Sequence, residues 1–425
     1  MPATLLIVTL LALLIFSFPI FIAILAGTVL SFETMGAAIP GLVLPQRMAE
    51  GLNVFALLAV PLFIFAADII GRGLIGKRLV ELMESMVGHL RGGVAIATVL
   101  SCAFFGAISG IGAAAIVSIG PIVYPAMRRL GYSQSFSVGL ILSAATLSML
   151  IPPGVAMILY SVQTSNSVAQ VFLAGLSSGV IYVVFLSAWA YLYARRNNIA
   201  TQNAATVAER FLRLRRAGWA LGLPAVIFGG IYGGVFTPTE AAAVACVYAA
   251  LVETLVYRQV TLQDLFKITR PSAIMIAALL ILISVGSLMT WYLTVENIPD
   301  QIAALLGGVS EGAVLAMINV LFLLVGMFVD PNSAVIILAP LIHPTILALG
   351  LDGIHLGAVV VFNLAVGMVT PPFGLNIFIA MPTFRISYLE ILKGVWPFII
   401  LSLVVLLIIT YIPVLTTWLP HLLHS

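Results

Sequence analysis

The chain has 425 residues, 62% of them hydrophobic and 8% charged, whereas a water-soluble globule carries about a quarter charged residues. Too little polar side chain is present to cover a globule in water, and no succession of alternating ten-residue segments fits a transmembrane β-barrel, so helices must span a bilayer. The net charge of +3 is small, and neither the five histidines nor Cys102 and Cys246 show metal-ligand spacing or a disulfide framework.

A crossing helix needs about 20 apolar residues. Residues 4–32 form the first such run, and with no charged flank before it and no cleavage site after it the run reads as a retained first span. A second span is expected at 55–71, with Asp68 near its end as an interfacial charge, followed by an amphipathic stretch at 74–91 lying in the interface. Residues 94–127 are too few for two crossings, carry Ser109-Gly110-Ile111-Gly112 at their centre, and have Arg91 and Arg128/Arg129 at their two ends. Basic residues at both ends favour one cytoplasmic side, which makes this stretch a re-entrant hairpin.

Residues 135–162 are long enough to cross, but Pro152-Pro153 removes two backbone donors and must break the helix near Ile151–Gly154. Continuous spans follow at 171–193, 217–235, 237–257 and 271–292. Thr237 and Glu240 read as a capping box at the start of one of them, and Glu253 beside Arg258 as an interfacial pair. A second amphipathic stretch at 295–311 leads to residues 313–349, a hairpin with Asp330-Pro331-Asn332-Ser333 at its centre and acidic flanks, so it should open outward. Its His343 reads as a satisfied polar group. Residues 356–381 are broken at Thr370-Pro371-Pro372-Phe373-Gly374, and 395–417 make the last span. With the N-terminus cytoplasmic, nine crossings and two hairpins put every basic cluster inside, Arg47 outside and the C-terminus in the periplasm.

The interrupted stretches repeat. Adding 219 carries Pro121 to Pro340, Pro125 to Pro344, Gly131 to Gly350, Met149 to Met368, and Pro152-Pro153 to Pro371-Pro372. One copy opens inward and the other outward. Inverted repeats with discontinuous helices mark secondary transporters, whose sites lie at the midplane between the repeats. The expected fold is therefore an all-α, inverted-repeat membrane protein with two re-entrant hairpins and two broken helices. Its parts are scaffold at 1–93, a first transport repeat at 94–170, scaffold at 171–312, a second transport repeat at 313–381 and a C-terminal helix at 382–425.

The stretch Gly233-Gly234-Val235-Phe236-Thr237-Pro238-Thr239-Glu240-Ala241-Ala242-Ala243, together with Asp330-Pro331 and Thr370-Pro371-Pro372-Phe373-Gly374-Leu375-Asn376, resembles the large membrane subunit of tripartite ATP-independent periplasmic (TRAP) transporters, the DctM or SiaM type. The similarity extends over essentially the whole chain. It implies symport of an organic acid, such as a C4-dicarboxylate or sialic acid, into the cell across the bacterial inner membrane. It also implies an elevator-type fold, in which the transport domain moves against a scaffold, a sodium gradient as the driving force, a periplasmic binding protein that delivers the substrate, and a separate four-helix membrane subunit. One departure is that family members often place further Ser or Thr after Ser109-Gly110, where this chain has Ile111-Gly112-Ala113-Ala114.

Sodium prefers several oxygens, which unwound backbone supplies as free carbonyls. Each hairpin tip with its facing break gives one candidate sodium site. The first joins Ser109, Gly110 and Gly112 to Ile151, Pro152 and Gly154; the second joins Asp330, Asn332 and Ser333 to Thr370, Pro371 and Gly374. The substrate carboxylate is expected between them, near Ser109, Gly110, Pro153, Asn332, Pro372 and Asn376, where helix N-termini offer free N–H groups. An acid at bilayer depth is a functional residue by default, yet Asp330 before Pro331 is also a natural N-cap. Two other classes compete with this reading. A single-component sodium/dicarboxylate symporter would share the hairpins but need no binding protein. An intramembrane hydrolase would need H-E-x-x-H, G-x-S-x-G around Ser109 or a second carboxylate beside Asp330, and the sequence has none of these. The chain is therefore not expected to be an enzyme.

Overall fold

Residues 4–32 are apolar almost throughout, yet in the computed structural model of the chain they form two helices, α1 (Pro2–Ile15) and α2 (Ile20–Thr34), rather than one span. The break falls at Phe16–Pro19, where Ser17 takes a left-handed conformation and Pro19 disfavours helix at the residue before it. The two helices fold back on each other: a Cβ on Gly27 would lie 3.2 Å from the Leu6 side chain. At 14 and 15 residues, each is about 21–23 Å long, short of the ~30 Å hydrocarbon core. The first residues of α1 therefore lie at the same end of the molecule as the last of α2, which corrects the expectation of a single crossing there. The structure describes residues 2–34, 42–306 and 308–423.

The next elements are the short α3 (Val43–Glu50), the span α4 (Ala59–Arg72) and the arm α5 (Ile75–Val87), which buries Ile75, Leu79, Leu82 and Met83 on one face. Then comes the first hairpin, α6 (Gly93–Ser109) and α7 (Gly112–Arg129). The broken helix follows as α8 (Gln134–Ala145), α9 (Leu147–Leu150) and α10 (Val155–Gln163). Four long helices come next: α11 (Val168–Arg196), α12 (Val207–Tyr232), α13 (Pro238–Leu251) and α14 (Leu262–Val295). The Thr237–Glu240 capping box is present at the start of α13, with Pro238 in its first turn. The second arm is α15 (Ile298–Leu306), and the second hairpin is α16 (Glu311–Phe328) with α17 (Pro331–Ala348). α18 (Gly353–Gly367) and α19 (Leu375–Phe384) flank the second break. α20 (Tyr388–Tyr411) ends before Pro413, and α21 (Val414–Leu423) turns back onto α11. The last span is thus present but runs over Tyr388–Tyr411 rather than 395–417, because Pro413 stops the helix.

The repeat holds at the level of backbone. α7 shifted by 219 runs from 331 to 348, the bounds of α17, and the Pro152–Pro153 and Pro371–Pro372 peptides are both cis. Around these repeats the long helices sort by contact. α11 and α20 pack on α6, α8 and α18, whereas α12, α13 and α14 pack on α2, α4 and α5.

Two acidic residues differ from expectation. Glu253 forms no pair with Arg258. It is fully buried in a π-helical turn that ends α13, and its carboxylate accepts the N–H groups of Leu74 (3.0 Å) and Ile75 (2.9 Å), capping α5 from another helix. Gly73 is what admits it, since a Cβ there would overlap the carboxylate at 1.9 Å. Asp68 is not an interfacial pair either: it accepts the Ser272 hydroxyl at 2.5 Å and ties α4 to α14. His343 is satisfied, with Asn166 Nδ2 at 2.9 Å, and both cysteines are free.

These contacts fix relative sides. Cysteine at Ser133, at the base of the first hairpin, and at Asp352, at the base of the second, should react with an impermeant reagent from opposite faces of the membrane. Cysteine at Thr4 should react from the Asp352 face, because Ile298 and Gln301 of the second arm line the same crevice as Leu6 and Ile7. Labelling of Ser133 and Asp352 from one face would refute the inverted repeat.

Candidate functional site

The first hairpin turns on two residues. α6 ends at Ser109, Gly110 takes φ +62°, Ile111 is extended and α7 begins at Gly112. Glycine is required at 110 for a second reason: a Cβ there would lie 2.1 Å from the Pro153 carbonyl oxygen, so tip and break are in direct backbone contact. Gly112 meets the Ala145 carbonyl and, from the other repeat, the amide of Asn376, at 3.1 and 3.8 Å from where its Cβ would be. The Ser109 hydroxyl and both amide atoms of Asn376 are buried without a hydrogen-bond partner, and so is the hydroxyl of Ser148, which packs on α6 at Gly106. Unpartnered buried polar atoms are uncommon, and these four, placed against α6 and the first tip, mark a place for something polar.

The second tip is built differently. Asp330 is the N-cap of α17: its carboxylate accepts the Ser333 N–H at 3.1 Å and the Ser333 hydroxyl, and Pro331 follows in the first turn. The position related to it by 219 is Ile111, which cannot cap, and α7 has no side-chain cap. One hairpin thus presents a capped helix start with its own negative charge, and the other presents free N–H groups.

Both tips face one cavity of about 480 Å³. Gly110–Ala113 and Asp330–Ser333 line it together with Met149 and Val155 beside the first break and Met368 and Leu375 beside the second. Pro19–Phe21, at the turn between α1 and α2, and Met275–Leu282 of α14 form the opposite wall. Among the described residues Asp330 is the only charged side chain in the lining.

The sequence-derived residues divide accordingly. Gly110, Gly112, Asp330, Asn332 and Ser333 line the cavity. Ser109, Ile151, Pro152, Pro153, Gly154, Gly374 and Asn376 are buried behind it. The Thr370 hydroxyl donates back to the Val366 carbonyl at 2.7 Å, and Pro371 is half-buried. Pro372 is not brought to the cavity: it is exposed, and its carbonyl accepts the Tyr388 hydroxyl at 2.5 Å. Ser148 and the α1–α2 turn were missed. Ser148 lies one turn before Pro152, and Pro19 was the one visible mark of the turn.

The profile of the tripartite ATP-independent periplasmic transporter, DctM component, matches residues 7–415. This chain belongs to that family. It is 39% identical over 98% of its length to the ectoine/5-hydroxyectoine TRAP transporter large permease protein UehC of Ruegeria pomeroyi, covering 98% of that protein. It is 36% identical over 99% of its length to the ectoine TRAP transporter large permease protein TeaC of Halomonas elongata, covering 99% of it. To the C4-dicarboxylate TRAP transporter large permease protein DctM of Rhodobacter capsulatus it is 35% identical, over 97% of this chain and 98% of that one. The crystal structure of the Alcanivorax borkumensis YdaH transporter, described as having an unusual topology, shares the fold with a TM-score of 0.66 at 15% identity, over 88% of this chain and 87% of the other. The chain is accordingly a multi-pass TRAP transporter large permease subunit and not an enzyme.

Proposed function

We propose that this permease imports a small solute bearing a single carboxylate, with sodium, by an elevator movement of the two hairpins against the helices around them. The observation that carries the reading is the convergence of both hairpin tips and the residues flanking both helix breaks on one cavity. The moving body would hold residues 94–170 and 313–381 with α11 and α20, which pack on them, and the frame would hold α2–α4 and α12–α14. This takes α11 out of the frame in which its sequence position had put it. In the cell membrane the basic clusters face the cytoplasm, and both termini then face the periplasm. A periplasmic binding protein and a small membrane subunit complete the system.

The asymmetry of the tips orders the ligands. A carboxylate belongs at the uncapped start of α7, where free N–H groups and the helix dipole favour negative charge. At the second tip Asp330 would repel it and attract a cation instead. Sodium fits the Ser109 and Ser148 hydroxyls and the Asn376 amide at one site, whose buried oxygens lack partners. At the other it fits Asp330 with Asn332 and Ser333. With no Lys, Arg or His in the lining, a second carboxylate on the solute would be left unpaired in a largely apolar cavity, which is costly. This favours a zwitterion or monocarboxylate over a C4-dicarboxylate, in keeping with the ectoine named for two of the relatives.

Proteoliposomes carrying the chain with its small subunit should take up ectoine only with an inward sodium gradient and a loaded binding protein. Ectoine with sodium should also raise the melting temperature of the purified complex, and succinate should not. Uptake by the chain alone would favour the single-component symporter, and stabilisation by succinate but not ectoine would overturn the substrate class.

A further inference from the structure

A second, more polar cavity of about 310 Å³ lies beyond the first, lined by Arg47 and Glu50 of α3, Gln163 of α10, and Ser287, Thr290 and Trp291 of α14. The same two helices line both cavities in succession. On α14, Leu282 belongs to the central cavity and Ser287 to the outer one; on α10, Ala156 and Val162 divide likewise. At 1.5 Å per residue these steps are about 8 and 9 Å, so the two cavities are adjacent stations along one groove.

The outer cavity is built around a cation. Among the described residues Arg47 is the only Lys or Arg lining either cavity. Its guanidinium sits 5.3 Å from the Trp291 ring centroid, and α3 is fixed to α14 by the Ser284 hydroxyl on the Met48 carbonyl (3.0 Å) and the Ser287 hydroxyl on the Arg47 carbonyl (3.3 Å). The Glu50 carboxylate accepts from Arg47 at 2.9 Å and from Gln46 at 3.0 Å. Glu50 thereby shows the place that a carboxylate takes here. The pair is open to water, with side chains 43% and 48% exposed, and such pairs are weak and readily exchanged.

We infer that this outer cavity is an antechamber in which the solute carboxylate displaces Glu50 from Arg47 before passing along α10 and α14 to the first hairpin tip. The inference rests on the carboxylate reading above, but Arg47 would serve any carboxylate solute, whether or not the central cavity accepts it. Arg47 is a binding residue for the incoming solute, and Glu50 is its competitor.

That opposition gives the test, made on the complete reconstituted transporter with ectoine and succinate as parallel probes. Arg47→Gln should raise KM for the imported probe about tenfold with kcat within twofold, the scale of one lost charge-assisted bond. Glu50→Gln should lower KM two- to threefold, because the competitor is weakened. If the ion pair merely held α3 in place, both substitutions would change KM in the same direction, and that result would overturn the inference. A second readout does not need transport: in nanodiscs, Trp291 emission, taken as the difference from Trp291→Phe, should change on titration with either probe and lose the response in Arg47→Gln. An unchanged titration in Arg47→Gln would also overturn it, as would an equal weakening of docking by solute-free binding protein, which would make Arg47 a protein contact. Absence of sodium-dependent uptake in the wild type, with the Trp291 response intact, would instead refute the transport reading alone.

Discussion

Transport in Gly110→Ala is expected to fall at least ~100-fold while the protein still folds. Two effects add at this position. An L-residue held at φ +62° is strained by about 1–2 kcal/mol, and the added methyl would lie 2.1 Å from the Pro153 carbonyl oxygen, a distance no Cβ tolerates. Either the hairpin tip withdraws or the break moves, and both sides of the first candidate ion site are then displaced. A shift of about 1 Å at a positioned site can cost two orders of magnitude in rate. Gly131→Ala is the control, since Gly131 has φ +95° but nothing within 4 Å of its Cβ position. It carries the strain without the overlap and should transport within a fewfold of wild type. Thermal unfolding should drop by a few degrees in Gly131→Ala and by more in Gly110→Ala, while sodium-induced stabilisation should disappear only in Gly110→Ala. Equal transport in both would mean that the tip and break need not touch.

The elements that the sequence made legible are those marked by a residue with one meaning. Pro152-Pro153 and Pro371-Pro372 each break a helix, and the Pro-x3-Pro pairs that share their offset belong to α7 and α17, whose bounds coincide under that offset. Thr237 with Glu240 could only be a cap. What escaped was decided by packing rather than by local pattern. The α1–α2 turn hides in an apolar run because its break is closed by backbone hydrogen bonds, the Ser17 and Phe18 N–H groups donating to the Leu14 and Leu13 carbonyls, and a lone proline marks it. Glu253 has Arg258 five residues away, yet the start of α5, 178 residues distant in sequence, takes its carboxylate. Charge pairing read along the chain cannot see such a partner. Ser148 meets α6 only through packing within the first repeat, and Asn376 comes within reach of the first tip only when the two repeats are folded together. The same holds for the Arg47 cavity, where three separate helices each contribute a few side chains.

Asp330→Asn is expected to abolish sodium-coupled uptake with little change in the stability of the sodium-free protein. The aspartate does two things that this substitution separates. As N-cap it accepts the Ser333 N–H, and an asparagine oxygen can do the same. As the only charge in the central cavity it attracts a cation, and asparagine cannot. Apparent sodium affinity should weaken by about 10-fold or more, the cost of removing a charged ligand from a hard cation in a poorly hydrated cavity. The rise in melting temperature with sodium should shrink in step, because a ligand stabilises the folded state only in proportion to its occupancy. Asp330→Ala removes charge and cap together and should lose a further ~0.5–2 kcal/mol without sodium. Ser333→Ala is the third arm. It keeps the backbone cap and the charge but frees one carboxylate oxygen from the Ser333 hydroxyl, so its sodium-free stability should stay close to wild type while sodium dependence shifts modestly. Wild-type sodium dependence in Asp330→Asn beside a destabilised Asp330→Ala would make Asp330 a helix cap and nothing more, and the second ion site would then have to be built from Asn332 and the backbone of the Pro371 break.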